Sequence, residues 1–295
     1  MRQLDKMDNY TDKKFVLNHL PKRQQNSNKA TFGKILNIAG SRNYKGAAYL
    51  SSASALRAGA GYVTLASTDE VCNSVAAMQP EITFLELNKT ENGSISNNNK
   101  IENLYEYDVI SIGCGISQNP DTKAFLFNLL KKVNTTQKII LDADGINIIA
   151  SFKGEISLKN VILTPHPKEL SRLLNVKLEE VVDNREKYAR ITSQTYECIT
   201  LLKGHNTLIT DGEKMYVNPT GNSALAKAGT GDVLTGVIAG FTAQRMSGFD
   251  AAIAGAYVHG LAGELASNDL TEYSVLASDV IEYLPFALNQ VLSYE

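Results

Sequence analysis

Apolar positions along this chain follow two alternating rhythms as far as residue 217. Short apolar runs ending in glycine or a polar residue occupy 33–40 (GKILNIAG), 61–66 (GYVTLA), 82–87 (ITFLEL), 108–113 (DVISIG), 138–142 (KIILD), 161–164 (VILT) and 199–203 (ITLLK). Their length and their richness in Ile, Val and Leu suit strands covered on both faces. Between them the spacing turns helical. Residues 47–59 predict a helix of small side chains, stopped by Gly59 and able to pack very close to the sheet. Thr68 predicts the cap of a second helix, and Asn119-Pro120 opens another, proline suiting a first helical turn. One helix is expected over about 178–196, and two or three more close the chain. Residues 206–210 and 214–217 flank Asp211-Gly212 and predict a hairpin. The Asn-rich segment 92–99 reads as a mobile surface loop without chemistry.

Strands alternating with helices predict an α/β fold with a central, mainly parallel sheet and helices on both faces. Residues 31–295 are expected to form a single domain, and residues 1–30 an N-terminal arm to which no element is assigned. In such sheets ligands bind beyond the carboxyl ends of the strands. The chemically unusual residues fall there: Gly40-Ser41, Gly113-Cys114-Gly115, Asp142 with Asp144, His166 to Glu169, Lys203-Gly204, and Gly229 to Asp232.

The richest of these is Gly229-Thr230-Gly231-Asp232, where a small-residue loop passes into a run with helical spacing. Glycine lets the backbone approach a ligand, and the first amides of a helix favour an anion, so a phosphate is the expected occupant. Asp232 would be repelled there unless it acts as a base or holds a metal. Lys203-Gly204-His205-Asn206-Thr207 follows a strand and can hold a nucleotide by side chain and backbone. Glu169 and Asp142 or Asp144 are oxygen donors suited to magnesium, although the two aspartates are equally suited to helix capping. His166 sits between two prolines in a rigid corner, whereas His19, His205 and His259 read as ordinary histidines. No phosphate-binding Gly-x-x-x-x-Gly-Lys-[Ser/Thr] and no Gly-x-Ser-x-Gly are present.

Composition narrows the classes. The chain has 295 residues, 43% hydrophobic and 20% charged, as in a soluble globular protein with a substantial core. A net charge of −2 gives no footprint for nucleic acid or an acidic membrane. Cys72, Cys114 and Cys198 are widely spaced and odd in number, which suits a reducing cytoplasm better than a disulfide framework. The polar first residues show no secretory signal, and Gln244-Arg245 and Asp250 interrupt the most apolar region, so no membrane span is expected.

In order, the segments Ile38-Ala39-Gly40-Ser41, Gly46-Ala47, Gly59-Ala60-Gly61, Gly113-x-Gly115, Leu141 to Asp144, Leu163-Thr164-Pro165-His166-Pro167 with Glu169, Leu202-Lys203-Gly204 with Thr207, and Asn218 to Asp232 resemble the ADP/ATP-dependent NAD(P)H-hydrate dehydratases, a branch of the ribokinase-like fold. The resemblance runs from about Leu20 over nearly the whole chain. Lys168 stands where that family usually has glycine, Cys114 where proline is common, and Asn28 and Ala30 depart from its His-Lys-Gly. It implies that Ala47, Gly115, His166 and Asp232 contact hydrated NADH or NADPH. It also implies that Lys203, Gly204, His205, Asn206, Thr207 and Gly231 contact ADP or ATP, with Gly229 and Thr230 in the anion loop, Asp232 as catalytic base and Mg²⁺ near Glu169. Many relatives carry a fused epimerase; about thirty residues precede the first strand here, so a separate epimerase is the expected functional partner. A homo-oligomer is expected. A vitamin-precursor or sugar kinase of the same fold, or a non-catalytic nucleotide-binding regulator, are the alternatives.

Overall fold

The computed structural model describes residues 9–133, 137–152 and 154–293. Within them one sheet contains nine strands: β1 (Lys34–Ile38), β2 (Tyr62–Thr68), β3 (Thr83–Leu87), β4 (Val109–Ile112), β5 (Lys138–Leu141), β6 (Ile162–Leu163), β7 (Ile199–Leu202), β8 (Thr207–Thr210) and β9 (Met215–Asn218). Their spatial order is β3-β2-β1-β4-β5-β6-β7-β8-β9. Seven strands, β3 to β7 in that order, run parallel, and the β8–β9 hairpin adds antiparallel. The seven parallel strands therefore send their carboxyl ends to one edge. The order reverses between β1 and β4, where an open sheet of this kind forms its ligand crevice.

Alternate side chains point to opposite faces and build separate cores. Ile35, Val63, Val109, Ile140 and Ile162 pack under helices Thr230–Ala243 and Gly248–Leu270, against Leu234, Ile238 and Ile253. Leu36, Ile38, Ile110, Ile112 and Leu141 face the other way, against Phe125 and Leu126 of helix Pro120–Leu130 and Ile146 and Ile149 of helix Asp144–Ala150. The small-residue helix, Lys45–Arg57, makes its closest approach to a helix. A Cβ on Gly236 would lie 2.0 Å from Ser54 Oγ and 2.2 Å from the Ser51 carbonyl oxygen, so helices Lys45–Arg57 and Thr230–Ala243 touch backbone to backbone. Toward the sheet, Asn37 Nδ2 donates to Ser51 Oγ and Ser52 Oγ at 2.8 and 2.9 Å.

Four expectations change. The helix foreseen over 178–196 is two, Leu178–Asp183 and Arg185–Tyr196, because Asn184 (φ −138°, ψ 51°) leaves helical geometry. Thr68 holds the N-cap position but its hydroxyl caps nothing, being buried without a hydrogen-bond partner. The segment 92–99 is anchored: Gly93, Ser94 and Ile95 are buried, Ser117 Oγ donates to Ser94 Oγ at 3.0 Å, and Thr122 Oγ1 donates to the Ile95 carbonyl at 3.0 Å. The arm has order from residue 9, and its residues 1–8 lie outside the described residues. Val217 N donates to Asn9 O and Thr11 N to Val217 O, both at 3.0 Å, placing the chain along β9 before helix Lys13–His19, whose Val16 is fully buried. Among the described residues no helix is long and apolar enough to cross a membrane.

Candidate active site

At the switch point the loops after β1 and β4 are tied together. Gly40 N donates to the Cys114 carbonyl and Ser41 Oγ to the Gly115 carbonyl, each at 2.8 Å. Gly115 adopts φ +65°, and a Cβ there would sit 2.6 Å from Tyr44 Cβ and 2.9 Å from Ala47 Cβ. Ala47 and Gly115 are thus neighbours with no room for a side chain between them.

Next along the edge, Asp142 is buried and fully engaged. Lys203 Nζ donates to its Oδ1 at 2.7 Å and Thr235 Oγ1 to its Oδ2 at 2.8 Å. Neither aspartate caps helix Asp144–Ala150, whose N-cap is Ala143; Asp144 instead accepts from Ser117 N and Gln118 Nε2 at 2.9 and 3.1 Å. Burial pulls the Lys203 ammonium down, but Asp142 and Glu169 outweigh it and hold its pKa above the ordinary lysine value.

The corner after β6 is a reciprocal cap. His166 Nδ1 accepts from Lys168 N at 3.1 Å and Glu169 N at 3.4 Å, while Glu169 Oε2 accepts from His166 N at 2.8 Å. Because Nδ1 accepts, the neutral ring carries its proton on Nε2, which lies 3.3 Å from Glu169 Oε1. Burial, then Lys203, lowers the His166 pKa and keeps the ring neutral. Lys168 takes part through its backbone amide, so losing glycine there leaves the cap intact. Buried Glu169 is pushed up to about 6, first by desolvation and against the pull of Lys203, whose Nζ is 3.9 Å away.

Asp232 sits in the first turn of helix Thr230–Ala243, behind Gly229 at φ +93°. Burial and then Asp142 push its carboxyl up to about 7, with Cys114 and Lys203 opposing. The Cys114 sulfur and carboxylate oxygens of Asp142 and Asp232 all lie within 4.8 Å of one another. Burial, then the two aspartates, raises the Cys114 pKa and keeps the thiol protonated, and Sγ donates to Asp142 Oδ2 at 3.9 Å. Thr230 Oγ1 donates to the Leu225 and Lys227 carbonyls at 2.8 and 2.9 Å, which secures the start of this helix.

A cavity of ≈ 600 Å³ opens beside this cluster, lined by Lys203 to Thr207, Thr230 and Gly231. Its apolar wall contains Leu225, Leu234 and Ala256. Gly204, His205 and Asn206 are exposed at its side, and a Cβ on Gly231 would be 3.5 Å from Lys203 Nζ. The structure therefore joins His166, Glu169, Lys203, Asp142 and Asp232 in one chain of contacts, with Ala47 and Gly115 beyond Cys114. Asp142 and Glu169, flanking one lysine, fit a magnesium ion held through water; the Glu169 oxygens are too committed to His166 for that carboxylate to serve freely as a direct ligand. Thr235 escaped the sequence reading, and His259 was read there as an ordinary histidine. Thr235 could have been found three residues after Asp232, on the same helix face. His259 lines the cavity with its Nε2 buried and without a hydrogen-bond partner, and burial drops its pKa to about 4.

The sheet, its switch-point crevice and a Gly-Thr-Gly-Asp helix start define a ribokinase-like α/β protein. A ribokinase from Cryptococcus neoformans in complex with ADP superposes with TM-score 0.55 over 88% of this chain and 99% of that one, at 15% identity, a likeness of fold alone. The chain belongs to the NAD(P)H-hydrate dehydratase family, whose model matches residues 35–286. An ADP-dependent (S)-NAD(P)H-hydrate dehydratase of Bacillus subtilis is 32% identical over 268 residues, 90% of this chain and 92% of that protein. The crystal structure of an ADP/ATP-dependent NAD(P)H-hydrate dehydratase from B. subtilis, co-crystallized with ATP/Mg²⁺, matches with TM-score 0.84 and 29% identity, covering 97% of this chain and 100% of that one. A bifunctional NAD(P)H-hydrate repair enzyme of Moorella thermoacetica is 36% identical over 279 residues, 92% of this chain but 52% of the relative. The chain spans about half the length of such bifunctional relatives.

Proposed function

We propose that this chain dehydrates the S-epimer of hydrated NADH or NADPH, using ADP or ATP, and so restores the reduced coenzyme. The observation that carries the proposal is Asp232: a carboxyl at the positive end of a helix, pushed up to about 7 and so poised as a base near neutrality. In the proposed sequence Asp232 takes the proton from the C6 hydroxyl as that oxygen attacks the terminal phosphoryl group. The bond to the leaving phosphate of the nucleotide breaks, giving AMP from ADP or ADP from ATP. The amides of Gly229 to Asp232 stabilise charge on the transferring group, and Lys203, fixed by Asp142, adds a positive charge beside them. Magnesium, held near Asp142 and Glu169, would neutralise nucleotide phosphate charge. Phosphate is a far better leaving group than hydroxide. The ring nitrogen lone pair expels it, and loss of a C5 proton regenerates the dihydronicotinamide. Ala47 and Gly115 offer the dinucleotide a close-packed wall, and His166 the exposed face of its half-buried ring.

Residues 31–295 would act as one catalytic domain, in the cytoplasm, alongside a separate epimerase. Phe286 and Leu292, exposed on helix Ala277–Leu292, support a homo-oligomer. The test is incubation with NADH hydrate, magnesium and either nucleotide. The expected products are NADH, seen by its absorbance, and inorganic phosphate. Accumulation of a stable phosphorylated small molecule would mark a kinase of the same fold and refute the dehydratase.

A further inference from the structure

The guanidinium of Arg185, at the start of helix Arg185–Tyr196, meets main-chain carbonyls and, among the described residues, no carboxylate. Nη1 donates to His205 O at 2.6 Å, and Nη2 donates to Leu202 O and Asn206 O, each at 3.3 Å. Burial lowers the pKa of this guanidinium with no acid opposing it, and its Nε is buried without a hydrogen-bond partner. Desolvating a cation without a counter-charge is costly, so the position calls for a reason.

The reason lies in the loop it holds. Leu202, His205 and Asn206 bracket the turn between β7 and β8, and that turn lines the ≈ 600 Å³ cavity. Two of its residues have left-handed backbones, Gly204 at φ +144° and Asn206 at φ +53°. Glycine accepts such a backbone freely, whereas the surroundings must hold Asn206 in it. Lys203 N donates to Pro165 O at 2.9 Å and anchors the start of the turn, and Arg185 gathers the carbonyls that follow. Each trans peptide points its amide opposite its carbonyl, so fixing His205 O toward Arg185 turns the Asn206 amide away from it.

We propose that Arg185 is a positioning residue for nucleotide binding: it sets the Lys203–Thr207 turn in the shape that receives the adenine nucleotide. The assignment rests on reading the cavity as the nucleotide site. A lysine would not replace it, because one ammonium on a flexible stem lacks the planar fork that spans three carbonyls. Gly204 gives a second handle, since a Cβ there would lie 3.0 Å from Arg185 Nη2 on a backbone strained for any L side chain. The chemistry itself is spared, because Lys203 is held independently by Asp142 and by Pro165 O, and Asp142, Asp232 and Thr235 make no contact with Arg185.

The test compares the wild-type chain with R185K, R185M and G204A by calorimetric titration of ADP and ATP, by steady-state kinetics and by thermal unfolding. Folded R185K and R185M should bind nucleotide about tenfold or more weakly and show an equal rise in nucleotide KM, with kcat and the KM for the hydrated coenzyme within about twofold. G204A should weaken nucleotide binding in the same sense with Arg185 intact, and it decides the matter with R185K if R185M does not fold. Unchanged nucleotide affinity in folded R185K and G204A overturns the role of Arg185, as does a loss confined to kcat. A wild-type chain that binds neither nucleotide overturns the reading of the cavity itself. The titration contains no hydrated coenzyme, so its outcome is separate from whether the dehydration occurs.

Discussion

Asp232 is a carboxyl that its surroundings discourage from ionising. It shares a buried cluster with Asp142, and the ammonium of Lys203 beside it is already bonded to Asp142 at 2.7 Å. Asp232→Asn keeps the shape and removes the base, so kcat should fall about 10²–10⁴-fold. In the wild type kcat should climb as pH rises through about 7, where Asp232 ionises. Its folded pKa lies above the ordinary aspartate value, so the stability tied to its proton is complete in acid and is lost as pH rises toward about 7. Asp232→Asn should therefore melt higher than wild type at pH 8, by calorimetry, while being nearly inactive. Lys203→Met would leave the almost fully buried Asp142 without its cation, which costs about 3–5 kcal/mol for such a pair and would show as an earlier urea midpoint. Asp232 and Lys203 were legible because an adjacent glycine marks each of them, Gly231 before the one and Gly204 after the other. Arg185 was not: it reaches the turn from a different helix, and no spacing in the chain announces that contact.

Between elements, a backbone-to-backbone joint carries the anion loop. Helix Thr230–Ala243 lies on helix Lys45–Arg57 with Gly236 against Ser51 and Ser54. Gly236→Ala would force the two backbones apart, an overpacking that costs about 1–3 kcal/mol. The shift would also carry Gly229 to Asp232 away from Lys203, so kcat should drop with the melting temperature. Gly154→Ala is a useful contrast: a Cβ there meets nothing within 4 Å, but the φ of +84° strains any L side chain, so the melting temperature should fall while kcat holds. The small-residue run 47–59 foretold a close contact and named the sheet for it, whereas the closest approach is to a helix, since small side chains say how near something comes and not what it is. The break at Asn184 was likewise hidden, because apolar periodicity continues through it while the backbone does not.

For the whole molecule, the alternation of runs implied a covered parallel sheet, and the direction of its strands gathered the candidate residues on one rim. The lateral order of strands is set by crossovers of fixed hand and by packing across the sheet, which leave no local trace in the chain. The rim geometry leads to a global prediction. Nucleotide binding only the folded chain, at about a hundred times its Kd, should add about 2.7 kcal/mol of stability, read as a rise in melting temperature with ADP or ATP and magnesium. No rise with either nucleotide would count against the cavity as their site.

Asn9 and Thr11, bonded to Val217, occupy the outer border of the hairpin. An unguarded border of that kind is a template on which foreign strands can grow. Proteolytic trimming past Thr11 would uncover it, and the trimmed species should clump or pair through that side, next to Asn218, whose place at the carboxyl end of β9 is in the cavity wall.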